Sequence, residues 1–382
     1  MNTIKSNANV VTDSTDLETT YREARDVYNQ ITDYGNSTRF EPELIPPNIE
    51  CLNELDQQLQ PFYKLIYQLR DLFIIFQKLA DQHFSKAYFP LAIMYLGVQG
   101  ITSNRKKSDF YFTQYFIWCF EHREILPVEI LTELGYMYLN AKGVEQNYVE
   151  AVTCYRKAAE QDYPLAQYAL GNRFSSGHGV EQDDQQAVFW YQKAADQGFR
   201  LAQSRLGHEY KEGRVLEQSD ALSFFWHHKA ADQGNEWSQY NLGDMYRDGR
   251  GVEQDDGKAA FWYHKAAGQA HEGAQYQLAN MYKEGRGVEQ DDEQSVFWHR
   301  KATHQEKLVC HFTLGNMYRD GRGVEQDDEQ SVFWYYHAAK HGHEGAQYQL
   351  ANMYKEGRGV EQDDLLAKYW LSKVSDDFFE AE

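Results

Sequence analysis

The sequence predicts an all-α protein, a solenoid of about eight stacked helix-turn-helix repeats behind an N-terminal helical cap. Three observations lead there. The phrase HEGAQYQLANMYKEGRGVEQDD occurs twice without a difference, at His271–Asp292 and His343–Asp364, an offset of 72 residues. A small residue returns every 36 residues, at Gly135, Gly171, Gly207, Gly243, Ala279, Gly315 and Ala351. Tryptophan keeps the same interval at Trp190, Trp226, Trp262, Trp298, Trp334 and Trp370, and Trp118 lies on that grid with Cys154 in the slot between. Such a period means one supersecondary unit repeated, each copy burying its apolar face on the next.

Taken in order, residues 1–20 are polar and read as a mobile tail. Residues 21–90 read as an N-terminal helical cap running into a partial repeat. Within it, EPELIPP at Glu41–Pro47 precedes Pro61, an N1 signal for an amphipathic helix carrying Phe62, Leu65, Ile66, Leu69, Phe73, Phe76 and Ala80 on one face. The segment Phe76–Leu96 aligns without a gap on Tyr191–Lys211, which puts Ala87 and Ala92 on small-residue columns. The step from Ala92 to Gly135 is 43 residues instead of 36, so a longer turn is expected at Gly97–Ser108, with Arg105, Lys106 and Lys107 in a solvated loop. Residues 91–375 form the solenoid, with regular 36-residue units from about residue 128, and 376–382 an acidic tail.

A regular unit reads roughly AxYxLGxMYxxGxGVEQDDxxAxxWYxKAAxxG. Ala, Leu, Gly and Tyr at helical spacing make a first helix, and the stretch from the acidic pair to the Ala pair makes a second. The small residue lets the two helices approach closely. Gly249 and Gly251 end the first helix and permit the turn, with Val252 tucked beneath. Asp255, Asp291, Asp327 and Asp363 stand at the N-cap, Gln294 and Gln330 are placed to complete capping boxes, and the second acid meets the positive end of the helix macrodipole. The tryptophans are core residues, and only Trp237 stands outside the grid, as a hairpin junction or surface anchor.

At these residues the chain resembles the Sel-one-like repeats, a branch of the tetratricopeptide-like helical repeat superfamily. The combination of LGxMYxxGxGVxxD with AxxWYxKAAxxG recurs in phase from Leu134 to about Lys373. Departures are local: Val215 replaces a turn glycine, Ser219 a capping Asp, and His299 the Tyr after Trp. The resemblance implies a right-handed superhelix whose concave face is lined by the first helices.

The composition excludes several functions. With 38 basic and 58 acidic residues the net charge is −20, which disfavours nucleic acid and anionic membrane as partners. No segment is apolar enough for membrane insertion, the start lacks a secretory apolar core, and Cys51, Cys119, Cys154 and Cys310 form no CxxC pair, so a cytoplasmic protein with reduced thiols is expected, with secretion by a specialised system as an alternative. His337 and His341 share a helix face without a matching ligand set, so no metal is expected, and no cofactor. There is no GxSxG and no phosphate-binding GxxxxGK[ST], and repeated carboxylates at one structural position make a poor acid/base pair, so no catalytic residues are expected. Cysteine-rich members of the family are proposed to act on β-lactams, but they carry a regular cysteine pair per unit that is missing here.

What remains is surface. If the first helices line the concave face, three columns are exposed there: aromatic Tyr168, Tyr240, Tyr276, Phe312 and Tyr348; amide-rich Asn172, Asp244, Asn280, Asn316 and Asn352; and basic Lys211, Arg247, Lys283, Arg319 and Lys355. Tyrosine supplies contact area at small entropic cost, asparagine pairs with peptide backbone, and Lys or Arg engages carboxylates. The basic column has internal alternatives in Glu212, Asp248, Glu284, Asp320 and Glu356, one residue further on. The expected role is a non-catalytic scaffold or adaptor that binds a protein or an extended peptide, with a dedicated inhibitor or immunity protein, or a translocated effector, as alternatives.

Overall fold

The computed structural model describes residues 17–26, 68–97, 101–123, 125–305 and 308–375. The expected tails at 1–16 and 376–382, the Pro-rich segment 41–47, Cys51 and the helix start at Pro61 and Phe62 lie outside those residues. The described residues are helical throughout, with no strand.

Two compact units are distinguished, one ending at Gln218 and one beginning at Ser219. In the first, helical stretches 17–26 and 68–81 precede a 3-10 turn, Ser85–Ala87, and then the hairpins α1 (Tyr88–Tyr95) with α2 (Arg105–Glu121), α3 (Val128–Asn140) with α4 (Tyr148–Ala159), and α5 (Pro164–Ser176) with α6 (Asp184–Asp196), followed by α7 (Arg200–Glu212). The second unit holds α8 (Asp220–Asp232), the hairpins α9 (Glu236–Asp248) with α10 (Asp256–Gly268), α11 (Glu272–Glu284) with α12 (Asp292–Lys301), α13 (Leu308–Asp320) with α14 (Asp328–Lys340), and α15 (Glu344–Glu356) with α16 (Asp364–Leu371). Within each unit a helix packs chiefly on its neighbours in sequence, the pattern of an α-solenoid.

Inside a hairpin the small-residue column decides how close the helices come. A Cβ on Gly243 would sit 2.5 Å from the ring of Tyr263, and one on Gly315 2.4 Å from the ring of Tyr335. Gly171 meets Tyr191 at 2.6 Å and Gly135 meets Tyr155 at 2.7 Å in the same way. Where the small residue is Ala279 or Ala351, the residue twenty positions later is not tyrosine but His299 or Leu371. Glycine accompanies a full phenol ring at four of its five positions from Gly135 to Gly315, the exception being Gly207 with His227, and neither alanine accompanies one.

Repeats of the second unit are tied to one another through the GRG turn. In the second unit, a Cβ on Gly287, Gly323 or Gly359 would lie 2.1–2.2 Å from the backbone carbonyl oxygen of Asp256, Asp292 or Asp328, and each glycine is left-handed. The arginine between the glycines completes the clasp: Arg322 pairs with Asp292 at 2.8 Å and Arg358 with Asp328 at 2.7 Å. The second acid of the DD pair thus holds the following repeat as well as meeting its own helix dipole. A second tie comes from buried glutamines early in the first helices. Gln203, Gln239, Gln275 and Gln347 donate from Nε2 to the carbonyls of Ala195, Ala231, Ala267 and Ala339, at the end of the preceding second helix.

The first acid caps as expected, accepting from the backbone amide of Lys258, Gln294, Gln330 or Leu366, and Ser219 caps Leu222 in the same manner. The capping box, however, does not close. The N–H groups of Asp255, Asp291, Asp327 and Asp363 donate to the carbonyls of Tyr246, Tyr282, Tyr318 and Tyr354 in the first helix, which leaves Gln294 and Gln330 no donor to receive.

The worn N-terminal repeat differs from expectation in two places. Asn104 caps a helix that already contains Arg105, Lys106 and Lys107, so these cations form its first turn and the connection is shorter than Gly97–Ser108. Much of the extra step length goes into α2, 17 residues long where α6 has 13. Residues 17–20, expected in the tail, are helical with 21–26. That helix is held by Ala24 in the core, by Tyr21 against Phe76, by Glu18 with Lys86 at 2.9 Å, and by Arg25 paired with Glu133, which also accepts from Tyr115.

Backbone strain is located at Ala141 and Ala270, left-handed at φ 53° and 62° where equivalent positions hold left-handed glycines such as Gly177 and Gly342. A left-handed alanine costs about 1 kcal/mol that glycine does not. Ala270→Gly is therefore expected to raise the urea midpoint by an amount equivalent to about 0.5–1 kcal/mol; an unchanged or lowered midpoint would show that this turn is not strained.

Candidate partner-binding face

The first helices carry the three columns in two distinct settings, which alternate along the second unit. In the repeats of α9 and α13, the polar column is used internally. The Tyr263 hydroxyl donates to Asp244 Oδ1 at 2.7 Å, and the Tyr335 hydroxyl to Asn316 Oδ1 at 2.7 Å. The same bond appears in the first unit, Tyr191 to Asn172 at 2.8 Å. These are the tyrosines whose rings fill the space beside the glycines, so ring position and hydroxyl position are fixed together. Burial pushes the Tyr263 phenol well above its ordinary range, and the Asp244 carboxylate pushes it further. Burial raises Tyr335 to about 12.

The arginines of these repeats are also engaged. Arg247 grips Asp248 through Nε at 2.7 Å, reaches Asp244 at 3.1 Å and donates to the Tyr263 hydroxyl at 3.1 Å. Arg319 grips Asp320 at 2.8 Å and donates to Gln349 Oε1 at 3.2 Å. Hydrogen bonds to these arginines hold both Asp248 and Asp320 below the usual carboxylate range. Side chains read from the sequence as a ligand surface therefore contribute here to the hairpin itself.

The repeats of α11 and α15 differ. With His299 and Leu371 in the tyrosine position, Asn280 and Asn352 have no phenol to receive, and their side chains make no hydrogen bond among the described residues. Lys283 and Lys355 replace the arginines and form no ion pair there. Both asparagines are half-buried and Lys355 is exposed.

The aromatic column is half-buried and partly stacked. Tyr240 lies 4.6 Å from the ring of His271 and Phe312 4.4 Å from that of His343, both near parallel. Each histidine caps the following first helix, its Nδ1 accepting from Ala274 or Ala346. Tyr276 stands edge-on to His299 at 6.1 Å. Trp237 is exposed, with its edge on His271 at 4.6 Å. His337 stacks on His311 at 5.8 Å, whereas His341 is the C-cap residue of α14. Missed in the sequence were the capping histidines and the glutamine ties; the twofold appearance of HEG before AQYQ was the available signal.

A family model describing the Sel1 repeat matches residues 131–163, 164–199, 200–235, 238–271, 273–306, 309–343 and 345–376. The chain belongs to the Sel1 repeat family. Its phase agrees with the hairpins above, α5 and α6 falling within one match, and α10 with all but the first two residues of α9 within another. Sel1 repeat proteins are typically protein-interaction scaffolds and bind other proteins. Among solved structures, a Sel1 repeat protein from Oxalobacter formigenes is similar at 31% identity and a TM-score of 0.53, over 78% of this chain and 85% of that one. A protective antigen present in uropathogenic Escherichia coli strains, displaying an SLR fold, is similar at 26% identity and a TM-score of 0.38, over 85% and 86%. An immunity protein from Pseudomonas aeruginosa shows 20% identity and a TM-score of 0.34, over 66% and 84%. A search of curated proteins gave no match. Among the described residues, no helix is long and apolar enough to cross a membrane.

His299 gives this face a pH dependence. It is 0% exposed, its Nδ1 lies 2.9 Å from the Ser295 carbonyl oxygen, and its Nε2 has no partner. Burial pulls its pKa down to about 4. The unfolded chain takes up a proton near pH 6.5 that the folded chain refuses until about pH 4, so stability falls as pH is lowered through that window. The loss is about 3 kcal/mol at its low end. Urea midpoints measured from pH 7.5 to 4.5 should show the decline, and His299→Leu should remove much of it; equal slopes in both proteins would mean that His299 is not the group.

Proposed function

We propose that this chain is a non-catalytic scaffold or adaptor that binds a partner protein or an extended peptide through the first-helix face of its second unit. One observation carries the reading. In the repeats of α9 and α13 the polar columns are consumed by the hairpin, whereas in those of α11 and α15 the Asn and Lys side chains have no hydrogen bond or ion pair among the described residues. Half-buried amides and unpaired cations beside aromatic rings suit a peptide backbone with nearby carboxylates. The contacts are accordingly Tyr276, Asn280 and Lys283, repeated as Tyr348, Asn352 and Lys355, while Tyr240, Asp244, Arg247, Phe312, Asn316 and Arg319 frame them. The identical 22-residue phrase containing each set supports two like sites for one extended ligand.

The test compares the wild-type chain with Asn280→Ala/Lys283→Ala/Asn352→Ala/Lys355→Ala. Partners captured from native lysate are identified, and their affinities measured with purified components. The expected result is at least a tenfold loss of affinity with an unchanged melting temperature, because these side chains support nothing else. Full affinity in the variant would place the partner on another surface.

A further inference from the structure

The tryptophan column has one interruption, and a cleft opens there. Cys154 occupies the slot, and a cavity of about 730 Å³ lies against it, lined by Leu134, Tyr138, Phe116, Phe120 and Lys157 among others. The second unit shows what such a shell holds when the column is complete. Trp262, 108 residues beyond Cys154, shares a core cluster with Leu242, Tyr246 and Phe224. It meets His228 edge-on at 5.7 Å, and the Lys265 ammonium stands 5.0 Å from its ring centroid. Residue by residue at the same offset, these are Leu134, Tyr138, Phe116, Phe120 and Lys157.

The shells agree in geometry as well as in position. Phe116 meets Tyr138 edge-to-face at 5.6 Å and 89°, as Phe224 meets Tyr246 at 5.5 Å and 84°. What differs is the occupant. Lys265 lies over the rings of Phe261 and Trp262, whereas the equivalents beside Lys157 are Thr153 and Cys154, so its ammonium has no ring beneath it among the described residues. Lys157 also makes no ion pair among the described residues. The floor is apolar and unreactive: Cys154 is 7% exposed, and burial raises its thiol to about 11. At the mouth, Ile125 is 80% and Phe120 53% exposed, apolar surface that a bound partner would cover.

We propose that this cleft receives the indole ring of a tryptophan side chain presented by a partner protein, completing the column from outside. The ring lies against Leu134 and the Cys154 thiol, between Phe120 and Tyr138, with the Lys157 ammonium over its face. This site lies in the first unit and is independent of the first-helix face of the second. A single buried aromatic anchor in a preformed pocket is the kind of contact that dominates many protein interfaces.

The test uses the full chain and the probe N-acetyl-Ser-(5-fluorotryptophan)-Ser-amide, observed by fluorine NMR. With the wild-type protein the resonance should broaden and shift at sub-millimolar concentrations. Lys157→Gln should weaken the response about fivefold, the loss of one cation–π contact. Cys154→Trp should abolish it and raise the melting temperature, since it fills the slot from within; Cys154→Met, a smaller change that folds more readily, should weaken it. No response from wild type at millimolar probe, or a response undiminished in both Cys154 variants, would overturn the proposal.

Discussion

The close approach of a glycine to a tyrosine ring, inside the hairpins of Gly135, Gly171, Gly243 and Gly315, is the constraint from which most of this structure follows. With the ring of Tyr263 2.5 Å from where a Gly243 Cβ would be, the two helices cannot separate without opening a void, nor move together without a clash. The ring in turn carries its hydroxyl to a fixed point, 2.7 Å from Asp244. Arg247 then joins the phenol and both nearby carboxylates, so steric fit within the hairpin sets the chemistry of the outer surface. Where alanine replaces glycine, the phenol is missing, and the asparagine and lysine above it lose their internal partners. The 72-residue repeat is thus an alternation of a self-satisfied hairpin with one whose polar side chains remain available.

Stacking uses a different set of residues, which is why the two kinds of hairpin can alternate freely. The clasp of GRG on the preceding DD is found in both kinds, and so is the glutamine reaching back to the preceding Ala carbonyl, in α9 as well as in α11 and α15, although His311 takes its place in α13. Where these ties occur, the junction is alike whatever fills the interior of the repeat. Identical phrases recur because the junction imposes the same demands each time.

Much of the fold could be read from the sequence, because a repeat states each constraint several times. The period, the small-residue and tryptophan columns and the capping aspartates all describe local or nearest-neighbour demands, and they appear in the structure at the expected residues. Other features depend on partners that spacing does not reveal. Asp244 and Asn316 looked like ligand groups because the tyrosines they accept from are nineteen residues away, across the hairpin. The capping boxes failed because first-helix carbonyls claim the N–H groups that Gln294 and Gln330 would need. Arg105 to Lys107 were placed in a turn because the Asn104 cap occurs only once, in the worn repeat, where no column repeats it. Cys154 was visible as an interruption in a column, but a one-letter change does not show that its neighbours keep their places around the missing indole.

The most direct measurement is a double-mutant cycle on one hairpin, with Gly243→Ala, Tyr263→His and the two combined, followed by urea denaturation. The account predicts that Gly243→Ala alone destabilises by about 1–3 kcal/mol through overpacking. In the combined variant, which reproduces the Ala279 and His299 pair, the cost of the added methyl should largely disappear, giving a coupling energy of at least about 1 kcal/mol. Strictly additive effects would contradict the claim that the fit between small residue and ring governs the hairpin.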